Sequence, residues 1–307
     1  MTGQYEGVLA VNKPVGWTSH DVVAKTRRIL SERRIGHTGT LDPDVTGVLP
    51  LCIGRATRIV EYLQELPKIY EAELTIGYAT DTEDSSGTVV DRVEQVSMDE
   101  QQLRATMQRF IGQIQQVPPM YSAVKLDGKR LYELARDGQE VEREARTVTI
   151  HDLQLLAFNN AVPWPTVQFR VNCSKGTYIR TLCVDIGKAL GYPAVMSKLV
   201  RTQTSGVSLE HCYDLAEIEQ MVKEGTLQQA LIPVDQAIRH LPKITIEDKL
   251  APKAQNGIAV PCSIAESGNL DTDSIVRVYD SRGFIGLFQF LHQQQIIKPV
   301  KVFRAGR

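Results

Sequence analysis

The chain has 307 residues, of which 42% are hydrophobic and 23% charged, and its net charge is −1. These values are typical of a folded globular protein long enough for one large and one small domain, and they exclude a largely disordered chain. No apolar run approaches the roughly 18 residues that a membrane span needs, so we expect a soluble, cytoplasmic protein.

Cysteine and histidine usage argues against a metal centre. The five cysteines include no Cys-x-x-Cys pair. The six histidines never fall four residues apart, the spacing that puts two ligands on one helix face. An odd number of cysteines is typical of reduced thiols. The sequence therefore predicts no metal site.

Charge is unevenly distributed along the chain. Residues 21–40 carry five basic side chains against two acidic ones, whereas residues 81–100 carry seven acidic side chains against one arginine. The pattern predicts one basic and one acidic surface. Solvated helix faces without a partner and a face that binds nucleic acid both fit this distribution.

The first elements of the chain are a helix, a loop, a helix and a strand. Ser19 and Asp21 predict the start of an amphipathic helix, because apolar side chains then recur at helical spacing. The segment 36–47 is rich in Gly, Thr and Asp, which is typical of an ordered loop. A second helix is predicted over about 56–66, and alternating apolar residues over 70–76 predict a half-buried strand.

The next part of the chain contains a helix and an irregular segment. Ser97 and Glu100 fit a capping box, and the apolar spacing after them predicts a helix that runs to about Ile114. Residues 118–147 are irregular and charged, which predicts an excursion from the core.

Regular patterns return in the second half of the chain. Alternation over 167–173 predicts a strand, and a helix is predicted from about Tyr178 to its stop at Gly191. Asp214 is predicted to cap another helix that ends at Gly225.

From residue 242 the pattern changes to short strands at about 275–279, 284–290 and 296–303, which predicts a separate small β domain. Basic residues near its end could neutralise phosphates: Lys298, Lys301, Arg304 and Arg307. The whole chain lacks a Gly-x-Gly-x-x-Gly motif and a phosphate loop, which disfavours dinucleotide and nucleoside-triphosphate enzymes.

Three residues are candidates for chemistry on their own merits. Asp42 precedes Pro43, whose ring favours extended backbone before it, so the carboxylate is held on a defined loop; an ordinary Asx-turn is the alternative. Tyr70 opens a strand and could offer its ring to a nucleobase or pack in the core. Arg180 could pair with a carboxylate or lie on the surface.

The order of these segments resembles the TruB family of tRNA pseudouridine synthases over residues 6–240, and more weakly a PUA-like RNA-binding domain over 242–307. The matching blocks are LAVNKPVGWTSHDVV at 9–23, GHTGTLDPDVTGVLPL at 36–51, KIYEAELTIGYATDTEDSSG at 68–87, PPMYSAVKLDGKRLYELAR at 118–136, CSKGTYIRTL at 173–182 and KLVRTQTSG at 198–206.

The resemblance implies an α+β fold: a catalytic domain at 1–241 with a curved, mostly antiparallel sheet and flanking helices, then the PUA-like domain at 242–307. The segment 118–147 corresponds to an insertion that clamps RNA. The resemblance also makes Asp42 the essential aspartate and Arg180 its partner.

Four further residues match the family pattern. Tyr70 corresponds to the tyrosine that stacks on the target base, and Tyr178 to a second active-site tyrosine. His37 corresponds to the histidine of the loop that meets the flipped nucleotides, and Leu199 to an apolar residue of the base pocket.

The implied reaction is isomerisation of the T-loop uridine of tRNA, at position 55, to pseudouridine. The glycosidic bond from N1 is broken and re-formed to C5, so all atoms are kept and we expect no cofactor. Attack of Asp42 at C1′, its addition to the uracil ring and removal of a sugar proton all remain open, and we favour the last, a glycal route. We expect tRNA as the substrate, no obligatory protein partner and a monomer.

Two other functions compete with this one. An RNA chaperone would use the same basic surface, but a binding protein gains nothing from a carboxylate that faces polyanionic RNA. A synthase that acts on ribosomal RNA would need the same chemistry, although the blocks match the tRNA subgroup.

Overall fold

A computed structural model describes residues 4–126, 128–262, 270 and 273–304. The strands before residue 242 are β1 (Gly7–Lys13), β2 (Ile35–His37), β3 (Thr46–Ile53), β4 (Lys68–Ile76), β5 (Tyr78–Thr80), β6 (Val89–Arg92), β7 (Gly112–Gln116), β8 (Lys125–Leu126), β9 (Lys129–Arg130), β10 (Arg146–Asn159), β11 (Thr166–Cys173), β12 (Ala194–Thr204) and β13 (Val207–Ser208). The later strands are β14 (Lys243–Thr245), β15 (Val260–Pro261), β16 (Ile275–Asp280), β17 (Gly283–Leu291) and β18 (Ile296–Val302). The α-helices are α1 (Ser19–Leu30), α2 (Val60–Gln64), α3 (Glu100–Gln108), α4 (Leu131–Arg136), α5 (Ile179–Leu190), α6 (Leu215–Glu224), α7 (Val234–Ala237) and α8 (Ala251–Gln255).

The central sheet has nine strands and determines where the other elements lie. Seven follow the order β1-β3-β12-β4-β11-β10-β7, while β2 pairs with β3 and β13 pairs with β12. Only β3 and β12 run parallel among these described pairs. The predicted α+β architecture with a mostly antiparallel sheet is confirmed.

Helices α1 and α5 cover one face of this sheet. Alternate residues of β4 are buried against α5, whose Leu182, Cys183 and Ile186 are fully buried. Each such aliphatic side chain contributes about 1.5–3 kcal/mol by leaving water. Helix α1 packs in the same way against β1 and β3. We call the space between these two helices, above β3, β12 and β4, the cleft.

The helix ends follow local chemistry. Gly191 and Gly225 end α5 and α6 with φ of 85° and 72°, as predicted, because glycine adopts this left-handed conformation without strain. The cap of α1 is Thr18 and not Ser19: the Thr18 hydroxyl accepts from the backbone N of Asp21 at 3.1 Å, and Asp21 bonds back to the Thr18 backbone.

The prediction of one long helix from Ser97 to Ile114 was wrong at both ends. Asp99 caps α3 and forms the capping box with Gln102. The chain then turns at Gly112, which has a φ of 105°, and Ile114 lies in β7, where it pairs with β10. Pairing to a neighbouring strand outweighs the helical spacing of the apolar residues.

The excursion at 118–147 contains the β8–β9 hairpin and α4, while residue 127 lies outside the described part. The guanidinium groups of Arg130 and Arg136 lie 5.7 Å and 5.5 Å from the centre of the Tyr132 ring. Arg143 donates to the carbonyl of Pro118 at 3.0 Å and so links the two ends of the segment. Arg130 and Arg136 therefore place positive charge beside the Tyr132 ring.

A second sheet, in the order β14-β16-β17-β18-β15, encloses a hydrophobic cluster of its own. The predicted short strands are thus present. A further cluster, which we call the junction cluster, joins the two sheets. Its buried members are Val8, Cys52, Ala56, Ile59, Leu63, Val234, Ile238, Leu287 and Phe303. No helix in the described ranges is long and apolar enough to span a bilayer.

Two of the basic residues near the end of the chain already have partners. Lys301 bonds Glu61, and Arg304 pairs with Asp280 at 2.5 Å. Lys298 is exposed, and Arg307 lies outside the described residues. Lys298 is therefore better placed for an outside anion than its two paired neighbours.

Candidate active site

The loop between β2 and β3 carries Asp42 and is fixed from below by α1. The Ser19 hydroxyl accepts from the backbone N of Leu41 at 2.9 Å, and the Leu41 side chain is buried. Val45 is buried on the other side of the aspartate. With both neighbours held inward, the Asp42 side chain is turned to the cleft and is 45% exposed.

Lys13 holds this loop from inside the protein, a role that the sequence patterns did not reveal. Its side chain is fully buried, and its Nζ donates to the carbonyls of Pro14, Trp17 and Pro43 at 2.9, 2.5 and 2.9 Å. Burial lowers the pKa of Lys13 to about 8, although nearby Asp44 and Asp42 oppose the shift. The bond to Pro43 fixes the backbone directly after the candidate carboxylate.

Arg180 and Asp42 form an ion pair across the cleft, as the family resemblance implied. Nη2 of Arg180 lies 3.0 Å from Oδ2 of Asp42. The guanidinium is buried and also donates to the carbonyls of Thr82 at 3.0 Å and Tyr121 at 2.7 Å. Its Nε lies 3.9 Å from Asp84, a second carboxylate that the sequence analysis missed. The contacts with Thr82, Tyr121 and Asp84 thus hold the Arg180 guanidinium beside Asp42.

Tyr70 is buried beside this pair. It lies in β4, where it pairs with Arg201 of β12 and Val171 of β11. Burial raises the pKa of the Tyr70 hydroxyl, although Arg201 opposes the shift, and Asp42 adds a smaller effect in the same direction as burial. Tyr70 therefore joins the cleft wall as a neutral phenol at physiological pH.

Arg201 is the second buried cation near the cleft. Only 1% exposed, it donates from Nε to the carbonyl of Val48 at 2.8 Å and from Nη2 to that of Gly39 at 3.1 Å. A Cβ at Gly47 would lie 2.2 Å from the Arg201 carbonyl oxygen, so only glycine permits this close parallel contact between β3 and β12. Arg201 thereby ties both sides of the Asp42 loop to the sheet.

Tyr178 stands at the start of α5, directly before the helix that carries Arg180. Its backbone N donates to Oε1 of Gln116 at 3.0 Å, and its carbonyl accepts from Nε2 of Gln116 at 3.2 Å. Gln116 is buried. This reciprocal pair fixes the helix start and leaves the Tyr178 side chain half-buried.

His37 lies at the end of β2, where the Asp42 loop begins. Its ring packs edge to face with that of His20, with centroids 5.5 Å apart, and its Nδ1 accepts from the backbone N of Gly39 at 3.3 Å. Burial lowers the pKa of His37, and His20 and Arg201 act in the same direction. His37 is thus a neutral, oriented ring at the cleft entrance.

Leu199 is half-buried and packs against the apolar cluster that contains Tyr70 and Leu41. Through this cluster, Tyr70, Leu199 and the Asp42 loop come together. Asp42 and Arg180 are in direct contact. Tyr178, directly before α5, and His37, at the end of β2, lie at the borders of the cleft.

The cleft offers a carboxylate beside an apolar wall. Within the described residues, no group of three His, Cys, Asp or Glu side chains could hold a metal ion. Oδ1 of Asp42 accepts no hydrogen bond from those residues, so one carboxylate oxygen is directed by Arg180 while the other can meet a ligand. An apolar wall with a tyrosine ring beside a directed carboxylate suits a planar base attached to a sugar.

Comparison with known families covers most of the chain. The model of the TruB family pseudouridylate synthase (N terminal domain) matches residues 27–179, and that of the tRNA pseudouridylate synthase B C-terminal domain matches residues 180–239.

Curated relatives and solved structures agree with these matches. A protein named tRNA pseudouridine synthase B from Bacillus licheniformis is 46% identical over 97% of each chain, and its namesake from Geobacillus thermodenitrificans is 48% identical over 97% of this chain and all of that protein. A Cbf5-Nop10-Gar1 complex contains a chain with a TM-score of 0.75 and 29% identity, covering 97% of this chain and 85% of that one. An H/ACA RNP bound to a substrate RNA containing 2′-deoxyuridine gives 0.72 and 27% over 97% and 84%.

Proposed function

The chain belongs to the TruB family of pseudouridine synthases, and we propose that it isomerises the T-loop uridine at position 55 of tRNA to pseudouridine. The relatives named for tRNA support the substrate class. The observation that carries the proposal is the buried Arg180 aimed at the half-exposed carboxylate of Asp42. A protein that merely binds RNA would not need this carboxylate, which repels phosphate.

Asp42 is the catalytic residue in this proposal, and Arg180 its positioning partner. The arginine favours the ionised carboxylate by charge and fixes its direction through one oxygen. Because Arg180 is itself held by the carbonyls of Thr82 and Tyr121, it cannot follow the carboxylate elsewhere. The arrangement is organised before the substrate arrives, which lowers the cost of positioning.

Tyr70, Leu199 and Tyr178 form the base pocket of the proposal. The target uridine lies inside a folded RNA loop and must be flipped out, which costs a few kcal/mol, whereas stacking on an aromatic ring returns roughly 1–3 kcal/mol. Tyr70 supplies that ring, and Leu199 keeps water from it. Tyr178 closes the pocket on the side of α5.

His37 occupies the space that the flipped base leaves. Its edge-to-face contact with His20 and its bond to Gly39 orient the ring at the cleft entrance. A neutral imidazole can stack on neighbouring bases without an unpaired charge. This role explains why the ring is held by two contacts at the end of β2.

The chemistry we favour is a glycal route. The free oxygen of Asp42 removes the proton from C2′ of the ribose while the electrons of the N1–C1′ bond leave with the uracil, which forms a C1′=C2′ double bond. The uracil rotates, C5 bonds to C1′ and the proton returns to C2′. C5 then loses its hydrogen and N1 gains one, so the atoms balance without a cofactor. Substrate deuterated at C2′ is expected to react more slowly; an unchanged rate when chemistry limits turnover would favour attack at C1′ or addition to the ring.

The excursion at 118–147 and the domain from 242 onward are the proposed RNA grips. The stacked Arg130 and Arg136 offer positive charge beside an aromatic ring, which suits a phosphate backbone. The separate cluster of the second sheet supports a domain boundary near 242 and a PUA-like RNA-binding role. We further propose that the protein acts as a monomer without an obligatory protein partner.

The deciding experiment incubates the purified protein with tRNA transcripts and maps pseudouridine by chemical adduct formation and primer extension. A transcript with cytidine at position 55 is the matched control. Modification at position 55 alone is expected, and ribosomal RNA added as competitor should stay unmodified. If wild type and Asp42→Asn both refold tRNA but neither makes pseudouridine, the protein is an RNA chaperone and the proposal fails.

A further inference from the structure

A cavity of about 760 Å³ lies on the face of the central sheet opposite the candidate active site. Ile69 of β4 and Asn172 of β11 line it and pair directly in register. Successive side chains of a strand point to opposite faces, so their neighbours Tyr70 and Val171 point to the cleft. The cavity is thus separated from Asp42 by the sheet.

The lining of this cavity is more apolar than polar, and its ionisable groups among the described residues are one arginine, two histidines and one tyrosine. No aspartate or glutamate lines it there. Its charged or chargeable side chains are Arg239, His211 and His240, its amides are Asn172, Gln203, Gln229 and Gln236, and Tyr213 adds an aromatic ring. Apolar residues such as Ile69 and Leu231 complete the wall. Positive charge, amides and an aromatic ring are the groups that bind an anion attached to a planar base.

Asn172 provides the most specific observation. Its Oδ1 is buried but has no hydrogen-bond partner among the described residues. Buried polar atoms in folded proteins nearly always have a partner, so we expect this amide to turn its oxygen toward the cavity when a bound molecule offers a donor there. An asparagine amide matches the edge of adenine, because its oxygen accepts from N6 and its nitrogen donates to N7.

We infer that this cavity binds an adenine nucleotide, with the base at Asn172 and the phosphate at Arg239. Its volume falls within the roughly 300–1,000 Å³ of small-molecule sites. The nucleotide has two sources, a free mononucleotide or an adenosine of an RNA strand. Either one brings the same chemistry to the same groups, and the site takes no part in the isomerisation.

The test measures binding of labelled AMP, adenosine, UMP and pentaadenylate to the full chain by equilibrium dialysis. Saturable AMP binding with a dissociation constant below about 1 mM is expected. UMP should bind roughly fivefold or more weakly, because its single ring offers less surface than the two rings of adenine for stacking and apolar contact. Pentaadenylate that binds over tenfold tighter than AMP identifies an RNA strand as the source, and equal affinities identify the free nucleotide.

Two variants separate the proposed contacts. Asn172→Leu should weaken AMP and adenosine alike, by roughly fivefold or more. Arg239→Gln should weaken AMP and leave adenosine unchanged, since only the phosphate loses its partner. Arg109→Gln, at an exposed arginine directly after α3, is the matched control and should change neither affinity. Irradiation with 8-azido-AMP should label the peptide around Tyr213.

The inference is overturned if neither AMP nor pentaadenylate binds saturably, if Asn172→Leu binds AMP like the wild type, or if the photolabel attaches beside Asp42. Pseudouridine formation by all three variants is measured in parallel and should stay within about twofold, because none of the residues reaches the cleft. A failed nucleotide site therefore leaves the isomerase test intact, and the reverse also holds.

Discussion

Replacement of Arg180 by lysine tests whether the geometry of the ion pair matters or only its charge. The guanidinium uses two nitrogens to reach three oxygens at once: Nη1 donates to the Thr82 carbonyl, and Nη2 donates to the Tyr121 carbonyl and forms the ion pair with Asp42. A lysine has a single nitrogen on a shorter reach and cannot keep all three contacts. Arg180→Lys keeps the positive charge but no longer fixes the direction of the Asp42 carboxylate.

The size of the effect follows from the hydrogen bonds that the substitution removes. A hydrogen bond to a charged group contributes about 1.5–3 kcal/mol, and Arg180→Lys forfeits at least one of them in a buried site. A positioning loss of about 3 kcal/mol corresponds to roughly a hundredfold slower reaction. We expect Arg180→Lys to approach Arg180→Ala, to within about tenfold, and not the wild type.

The assay is a single-turnover reaction at saturating enzyme, with tRNA tritiated at C5 of uridine, because this hydrogen is released when C5 bonds to the sugar. Circular dichroism and thermal melting establish that each variant is folded. Arg109→Lys, at the exposed position directly after α3, is the control for the substitution itself. A folded Arg180→Lys protein within threefold of the wild-type rate would refute the argument from geometry.

Four other outcomes are expected. Asp42→Asn should abolish turnover while tRNA affinity stays within about tenfold, because the carboxylate adds little attraction to phosphate; filter binding and single-turnover rates check both, and near-normal turnover would contradict the catalytic role. Gly47→Ala should lower the melting temperature by several degrees, because its Cβ would meet the Arg201 carbonyl; an unchanged melting curve would argue against the close contact. Exhaustive chelation should leave activity intact, and activity restored by one metal ion would contradict this. Deleting 242–307 exposes the junction cluster and should destabilise the rest of the chain, and in the fraction that stays folded it should weaken tRNA binding more than it slows the bound reaction. Lys298→Gln should reduce the salt dependence of affinity by nearly one unit if that lysine meets a duplex phosphate; an unchanged salt slope excludes the contact.

The sequence predicted those elements whose signals are local. Gly191 and Gly225 ended their helices because left-handed residues after a helix are a property of the chain itself. The β7 segment was mistaken for helix because its apolar spacing fits both structures, and the choice depends on pairing with β10, far along the chain. The capping box shifted from Ser97 to Asp99 because two overlapping candidates compete over six residues.

Some residues of the candidate site could be predicted from the sequence, and others became apparent only in the folded structure. The Asp42–Arg180 pair followed from the family resemblance, which carries the fold with it. Lys13 and Arg201 carry no motif of their own: each is a single cation that becomes meaningful only when folding buries it against distant carbonyls. The sequence correctly shows that Lys301 and Arg304 are basic, but it does not show that both form ion pairs within the protein.

Through the junction cluster, the second sheet contributes to the free energy of unfolding of the part of the chain that contains the central sheet. Leu287 of the second sheet and Phe303, directly after its strand β18, are buried in one cluster with Ile59 and Leu63, which follow β3 of the central sheet. Unfolding the second sheet would expose this apolar surface and lower the stability of the part that carries the cleft. The two sheets are therefore expected to melt as one cooperative unit, in a single calorimetric transition. A substitution in the second sheet can thus lower the amount of active enzyme without changing any group that touches the substrate.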